Sequence, residues 1–141
     1  MAAAQAPGVS ILEFTFTAAA DMSSAAVGPG PNTSYQYTAV KPTSGTDLAV
    51  SPSSSAGSRV VGVLQTQPAS GGAAVVRILG ITKLVVDGTT PIANGDMLTT
   101  DASGRGVKTT TTGAESFAMA LQASTAQNDI ISAIVLPAAR Y

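Results

Sequence analysis

From residue 10 to residue 17 the chain alternates, with Leu12, Phe14 and Phe16 on one face and Glu13, Thr15 and Thr17 on the other. A period of two marks a half-buried strand, because successive side chains of an extended chain point to opposite sides. Further strands are predicted over residues 35–40, 48–50, 59–66, 73–79, 81–87, 96–100, 106–109, 116–124 and 129–136, separated by Gly, Pro, Asn and Asp. Those residues favour turns, through left-handed backbone, fixed φ or side-chain bonds to the backbone. Residues 114–126 contain good helix formers, Ala, Met, Leu and Gln, but Phe117, Met119 and Leu121 alternate with small or polar partners and favour strand. Many short strands at even spacing predict an all-β fold, a compact β-barrel or β-sandwich.

The first strand lies between an Ala, Pro and Gly start and a low-complexity stretch ending in Gly28-Pro29-Gly30-Pro31. Residues 1–32 therefore read as an extended N-terminal arm carrying one strand, and 33–141 as the β-domain. A repeat at an offset of 57 residues pairs Val60 with Phe117, Leu64 with Leu121, Gln65 with Gln122 and Leu79 with Leu136. It also maps Ala74, Val76 and Ile78 onto Ile131, Ala133 and Val135, an apolar face in both copies. Two related hairpins duplicated around a barrel would give this pattern, as would hairpins of similar length coinciding by chance.

Composition sharpens the picture. Ala alone supplies 25 residues, whereas Ile, Leu, Val and Phe together supply 31 of 141. Small side chains bury little area, so the core of a lone copy is thin and burial against a partner is expected. The formal net charge is -1 and the 7 Lys and Arg are scattered, which offers no electrostatic footprint for nucleic acid or an anionic membrane. The start, MAAAQAPGVS, has neither a basic nor an apolar signal region, and no run approaches the roughly 18 apolar residues of a membrane span.

With 0 His and 0 Cys, the usual general base, the commonest metal ligand and the thiolate nucleophile are missing. The acidic residues Glu13, Asp21, Asp47, Asp87, Asp96, Asp101, Glu115 and Asp129 mostly lie beside Gly, Thr, Ser or Asn and read as turn formers. Asp96 and Asp101 lack the calcium-loop pattern, and the Gly-rich segments match no phosphate loop. Only Lys41, Lys83 and Lys108 could replace His as a base for a serine nucleophile, and no S-x-x-K spacing occurs. No catalytic residue, cofactor or metal is expected.

Three segments carry a resemblance. RVVGVLQTQPASGGAAVVRILGITKLVVDG, PIANGDMLTTDASGRGVKT and ESFAMALQASTAQNDIISAIVL follow, in order, the strand and hairpin pattern of the small capsid decoration (cement) proteins of tailed bacteriophages. In the second segment, Asn94, Gly95 and Asp96 form a hairpin turn in which Gly95 allows left-handed backbone and Asp96 braces the turn. The pattern is poorly matched over residues 41–58, and Asn128-Asp129 stands where a Gly-Asp turn is usual.

The resemblance implies a structural virion protein on the outer surface of an icosahedral head, bound to the major capsid protein and grouped as homotrimers at three-fold or quasi-three-fold positions. Within it, Ile11, Leu12, Phe14 and Phe16 are expected to contact the shell or a neighbouring subunit by strand addition, unless the arm folds into its own barrel. The alternatives are a surface β-domain for glycan or host adhesion and, from the Gly-Asp hairpin alone, a trimeric β-clip enzyme using Asp96.

Overall fold

The structure, a computed structural model, describes residues 11–140. Nine strands follow one another: β1 Leu12–Ala18, β2 Ala39–Pro42, β3 Ala49–Pro52, β4 Gly62–Leu64, β5 Ala73–Asp87, β6 Met97–Thr100, β7 Gly106–Lys108, β8 Glu115–Ala120 and β9 Gln127–Arg140, with short 3-10 turns at Ser24–Ala26 and Pro31–Thr33. Hydrogen-bonded neighbours run β1-β3-β2-β4-β5-β7-β6-β8-β9, and β5 also pairs with β1 and with β9. The two extra pairings close two five-stranded circuits. The all-β barrel expectation is met, doubled and fused.

The fusion lies in β5. Strands expected over 73–79 and 81–87 are one continuous strand, and Gly80, which reads as a break, turns the chain at φ 108 without ending it. Before Gly80 the strand pairs with β1, Phe14 opposite Val76; from Gly80 onward it pairs with β9, Gly80 opposite Val135 and Leu84 opposite Ile131. Backbone groups alternate in direction along a strand. The bond from Gln65 N–H to Val75 O points odd residues of β5 toward β4, so β1 and β9 follow each other along the even edge. The opposite edge meets β4 and then, in parallel, β7.

Each barrel has its own apolar cluster. Ala18, Met22, Val40, Val50, Leu64, Ala74 and Val76 fill the first, with Phe16, Tyr35 and Ile78 against them. Leu84, Val86, Ile92, Leu98, Phe117, Ile131 and Val135 fill the second, joined by Ala39 and Val63 from the first barrel's strands. Val, Ile and Leu dominate both, in keeping with branched side chains on pleated surfaces.

Several boundaries differ from the sequence reading. Tyr37 is left-handed at φ 64, so residues 35–38 make a turn and β2 begins at Ala39. The strand expected over 59–66 is confined to Gly62–Leu64, and that over 116–124 is β8, which ends at Ala120. The strand placed in an arm is instead part of the first barrel: Phe16 packs on the core and Ala18 is buried, because the apolar face of β1 completes that barrel. The chain that follows folds over the barrel end, with Met22 N–H bonded to Pro68 O and Tyr35 N–H to Met22 O. Ser10 and the start of the expected arm lie outside the described residues.

The two barrels share one plan. Strands β1, β3, β2, β4 and β5 correspond to β5, β7, β6, β8 and β9, with the same parallel or antiparallel sense at each pairing. Val40 faces Gly62 and Pro52 in the first barrel as Leu98 faces Ala118 and Lys108 in the second. Tyr37 N–H bonds Leu64 O and Leu64 N–H bonds Thr38 O; the counterparts are Gly95 N–H to Ala120 O and Ala120 N–H to Asp96 O. Tyr37 and Gly95 are both left-handed, at φ 64 and 93.

Candidate interaction surface

The apolar face of β1 runs from core to solvent along its length. Ala18 is buried and Phe16 half-buried, whereas Phe14, Leu12 and the preceding Ile11 are 53%, 43% and 46% exposed. A bulge between Leu12 and Glu13 shifts the register so that Leu12 faces Leu79. On the outer face Glu13 accepts from Arg77 Nε at 2.9 Å, while Arg77 Nη1 donates to Ile81 O at 2.7 Å. This ion pair fastens the start of β1 to the shared strand.

Among the described residues, the other edge of β1 is largely open. Thr17 N–H reaches Leu48 O and Ala19 N–H reaches Val50 O, but the pairing with β3 covers only Thr17 and Ala18. The backbone groups of Glu13 and Thr15 point the same way as those of Thr17 and meet no strand among the described residues. Such an edge can accept an added strand.

Where β1 and the end of β9 part, an apolar groove of about 300 Å³ opens. Leu12, Val61, Ile78, Leu79, Phe117 and Leu136 line it. Of these only Leu12 is legible as a contact residue in the sequence; the others are alternating strand residues, and their convergence depends on the fork.

Asn94, Gly95 and Asp96 lie in the second barrel, on the turn that leads into β6, and the fold does not join them to the exposed residues of β1 into one site. Gly95 has the left-handed φ that the turn requires. Asp96 Oδ2 accepts from Ala93 N–H at 2.8 Å and lies 3.1 Å from Lys108 Nζ. The Ala93 bond first, then Lys108, holds this carboxyl below its ordinary value, against some opposition from burial.

A second clamp stands nearby in the sequence. Arg105 Nε donates to Asp101 Oδ2 at 2.7 Å and Nη1 to Asn128 Oδ1 at 3.0 Å, and Nη2 lies 3.5 Å from Asp87 Oδ2. The Thr89 hydroxyl, then Thr89 N–H, lower the Asp87 carboxyl, with smaller help from Gln127 and Arg105. Asp96 and Asp87, each held low by bonds from its turn, stay ionised at neutral pH. Among the described residues, no three of His, Cys, Asp and Glu are grouped so as to hold a metal ion. The surface presents a strand edge, open among the described residues, beside an apolar groove.

The fold is similar to that of the head fiber gp8.5 N base of bacteriophage phi29, with a TM-score of 0.62 and 16% identity over 90% of this chain and 95% of that one. A comparison with curated proteins gives no match. The family model described as phage cement protein matches residues 7–136, nearly the whole sequence. The chain belongs to the phage cement protein family and is a structural component of a phage virion.

Proposed function

We propose that this protein binds the outer surface of an icosahedral phage head and stabilises the shell by bridging subunits of the major capsid protein, as homotrimers at three-fold or quasi-three-fold positions. Family membership carries the reading, and the surface supports it: exposed Ile11, Leu12 and Phe14 run into an apolar groove that suits contact with the shell or a neighbouring copy. The role is structural and not catalytic. A protein that binds only the assembled lattice stabilises it by mass action, by about 2.7 kcal/mol per site at one hundred times its dissociation constant.

The test is co-sedimentation of purified protein with undecorated, expanded heads from the same source, followed by heating of bound and bare heads. Saturable binding at a fixed ratio to the major capsid protein, with a higher disruption temperature, is expected. Failure to bind expanded heads would overturn the reading.

A further inference from the structure

The mouth of the second barrel is closed by the first. Ala39 and Val63, paired across β2 and β4, are fully buried and pack in one cluster with Leu84, Val86 and Leu98. Around this plug, Val85 N–H donates to Tyr37 O at 2.8 Å, Gln65 Nε2 donates to Thr82 Oγ1 at 2.8 Å, and the Lys83 ammonium sits 5.8 Å from the Tyr37 ring centroid.

The first barrel has the corresponding mouth, and the described residues supply no corresponding plug. Phe14, opposite Val76, stands where Thr82 stands opposite Ala133, and Leu12 stands near the place of Gly80. Phe14 and Leu12 are exposed here, and the groove beside them is the space left over.

The plug also has a counterpart, which closes no mouth among the described residues. The Ala39 and Val63 pair corresponds to Met97 and Met119, which face each other across β6 and β8. Their neighbours Leu98, Ala118 and Ala120 are buried, so by strand alternation the two Met lie on the outer face, where both are half-buried. Gly95, the counterpart of Tyr37, is exposed beside them, and Leu121 takes the place of Gln65.

We propose that a second copy of this chain closes the mouth of the first barrel, seating Met97, Met119, Leu121 and the Gly95 turn against Leu12, Phe14 and the groove. The chemistry is complementary. The polar Gln65 and Thr82 contact within the chain becomes Leu121 against Phe14 between copies, and two Met replace Ala and Val to fill a wider opening. Unbranched thioethers suit an irregular gap. The contact is head-to-tail, the kind that closes into a ring when the rotation between copies permits. It rests on the reading that copies of this chain group together on the shell, and it assigns the surfaces by which they do so.

The chain has 0 Cys, which makes the contact addressable by disulfide trapping. Leu12→Cys and Met119→Cys proteins would be prepared separately, mixed, oxidised mildly and run on non-reducing gels, both free and bound to heads. A covalent dimer in the mixture, many-fold above either protein alone, is expected. Adding Phe14→Asp to the Leu12→Cys protein should lower its yield by about tenfold or more, as loss of a buried apolar anchor does. Melting curves would verify that this variant stays folded.

Bonds formed only between like variants would make the contact two-fold and overturn the proposal. No bond on heads or in solution, with head binding intact, would also overturn it and leave the groove to the shell protein or to the chain itself. A bond in solution without head binding would support the contact between copies while removing the cement reading.

Discussion

Equivalent positions of the two barrels hold different residues at the same register. Gly62 of the first corresponds to Ala118 of the second, Tyr37 to Gly95, and Val40 to Leu98. Ladder register and turn geometry therefore survive exchange of nearly every side chain, provided that apolar residues keep the inner face. What differs is the company each barrel keeps. The second is sealed by Ala39 and Val63, while the first leaves Leu12 and Phe14 in solvent.

Leu84→Ala would test this comparison hardest. Leu84 is fully buried on the shared strand and belongs to the cluster that includes Val63 from the other barrel. A loss of about 2–5 kcal/mol is expected, by the usual cost of an aliphatic cavity. Calorimetry should still show one transition; two separate transitions would mean that the barrels melt independently.

Gly62→Ala comes next. A Cβ at this position would lie 2.2 Å from Arg77 O, where backbone must shift, so a cost of about 1–3 kcal/mol is expected. The reverse change at the equivalent site, buried Ala118→Gly, should cost about 1.5 kcal/mol, from backbone freedom and a lost methyl. If Gly62→Ala instead leaves urea unfolding unchanged or stabilises the protein, the two sites are not under different constraints.

The smallest effect is in acid. Folding holds Asp96 and Asp87 below 3.8, so the stability they contribute is complete above that value and fades as pH falls through their lower folded values. Asp96→Asn should flatten the loss of stability on acidification below about pH 4. An unchanged acid profile, measured by melting temperature, would remove Asp96 as a source of this dependence.

The sequence displays much of this fold, but unevenly. The alternation of Leu12, Phe14 and Phe16 marks β1 correctly, yet its flanking Pro and Gly suggest an arm, because composition does not say which sheet a strand joins. Gly80 reads as punctuation between strands when it is a kink within one. Tyr37 reads as strand because aromatic residues favour strands, and nothing local announces its left-handed backbone.

The repeat is faint in identities because only register and inner-face apolarity are held in common. Its offset drifts besides, with Val40 to Leu98 spanning 58 residues and Gly62 to Ala118 spanning 56. Leu12 and the turn at Gly95 are visible in the sequence as candidate features. Ile78, Phe117 and Leu136 are not, because they meet only where β1 and β9 diverge.

The strand common to both barrels also bears on how force passes through the molecule. β5 has 15 residues, a covalent span of about 50 Å at the usual rise per residue. Flanked by β1 and β4 along one half and by β9 and β7 along the other, it acts as a tie rod through the whole body. If the protein is fastened to a head shell as proposed, a pull entering at one barrel reaches the other through peptide bonds, and the ladders on either side are loaded in shear. The two halves are joined by a strand that bends at Gly80 but does not break there.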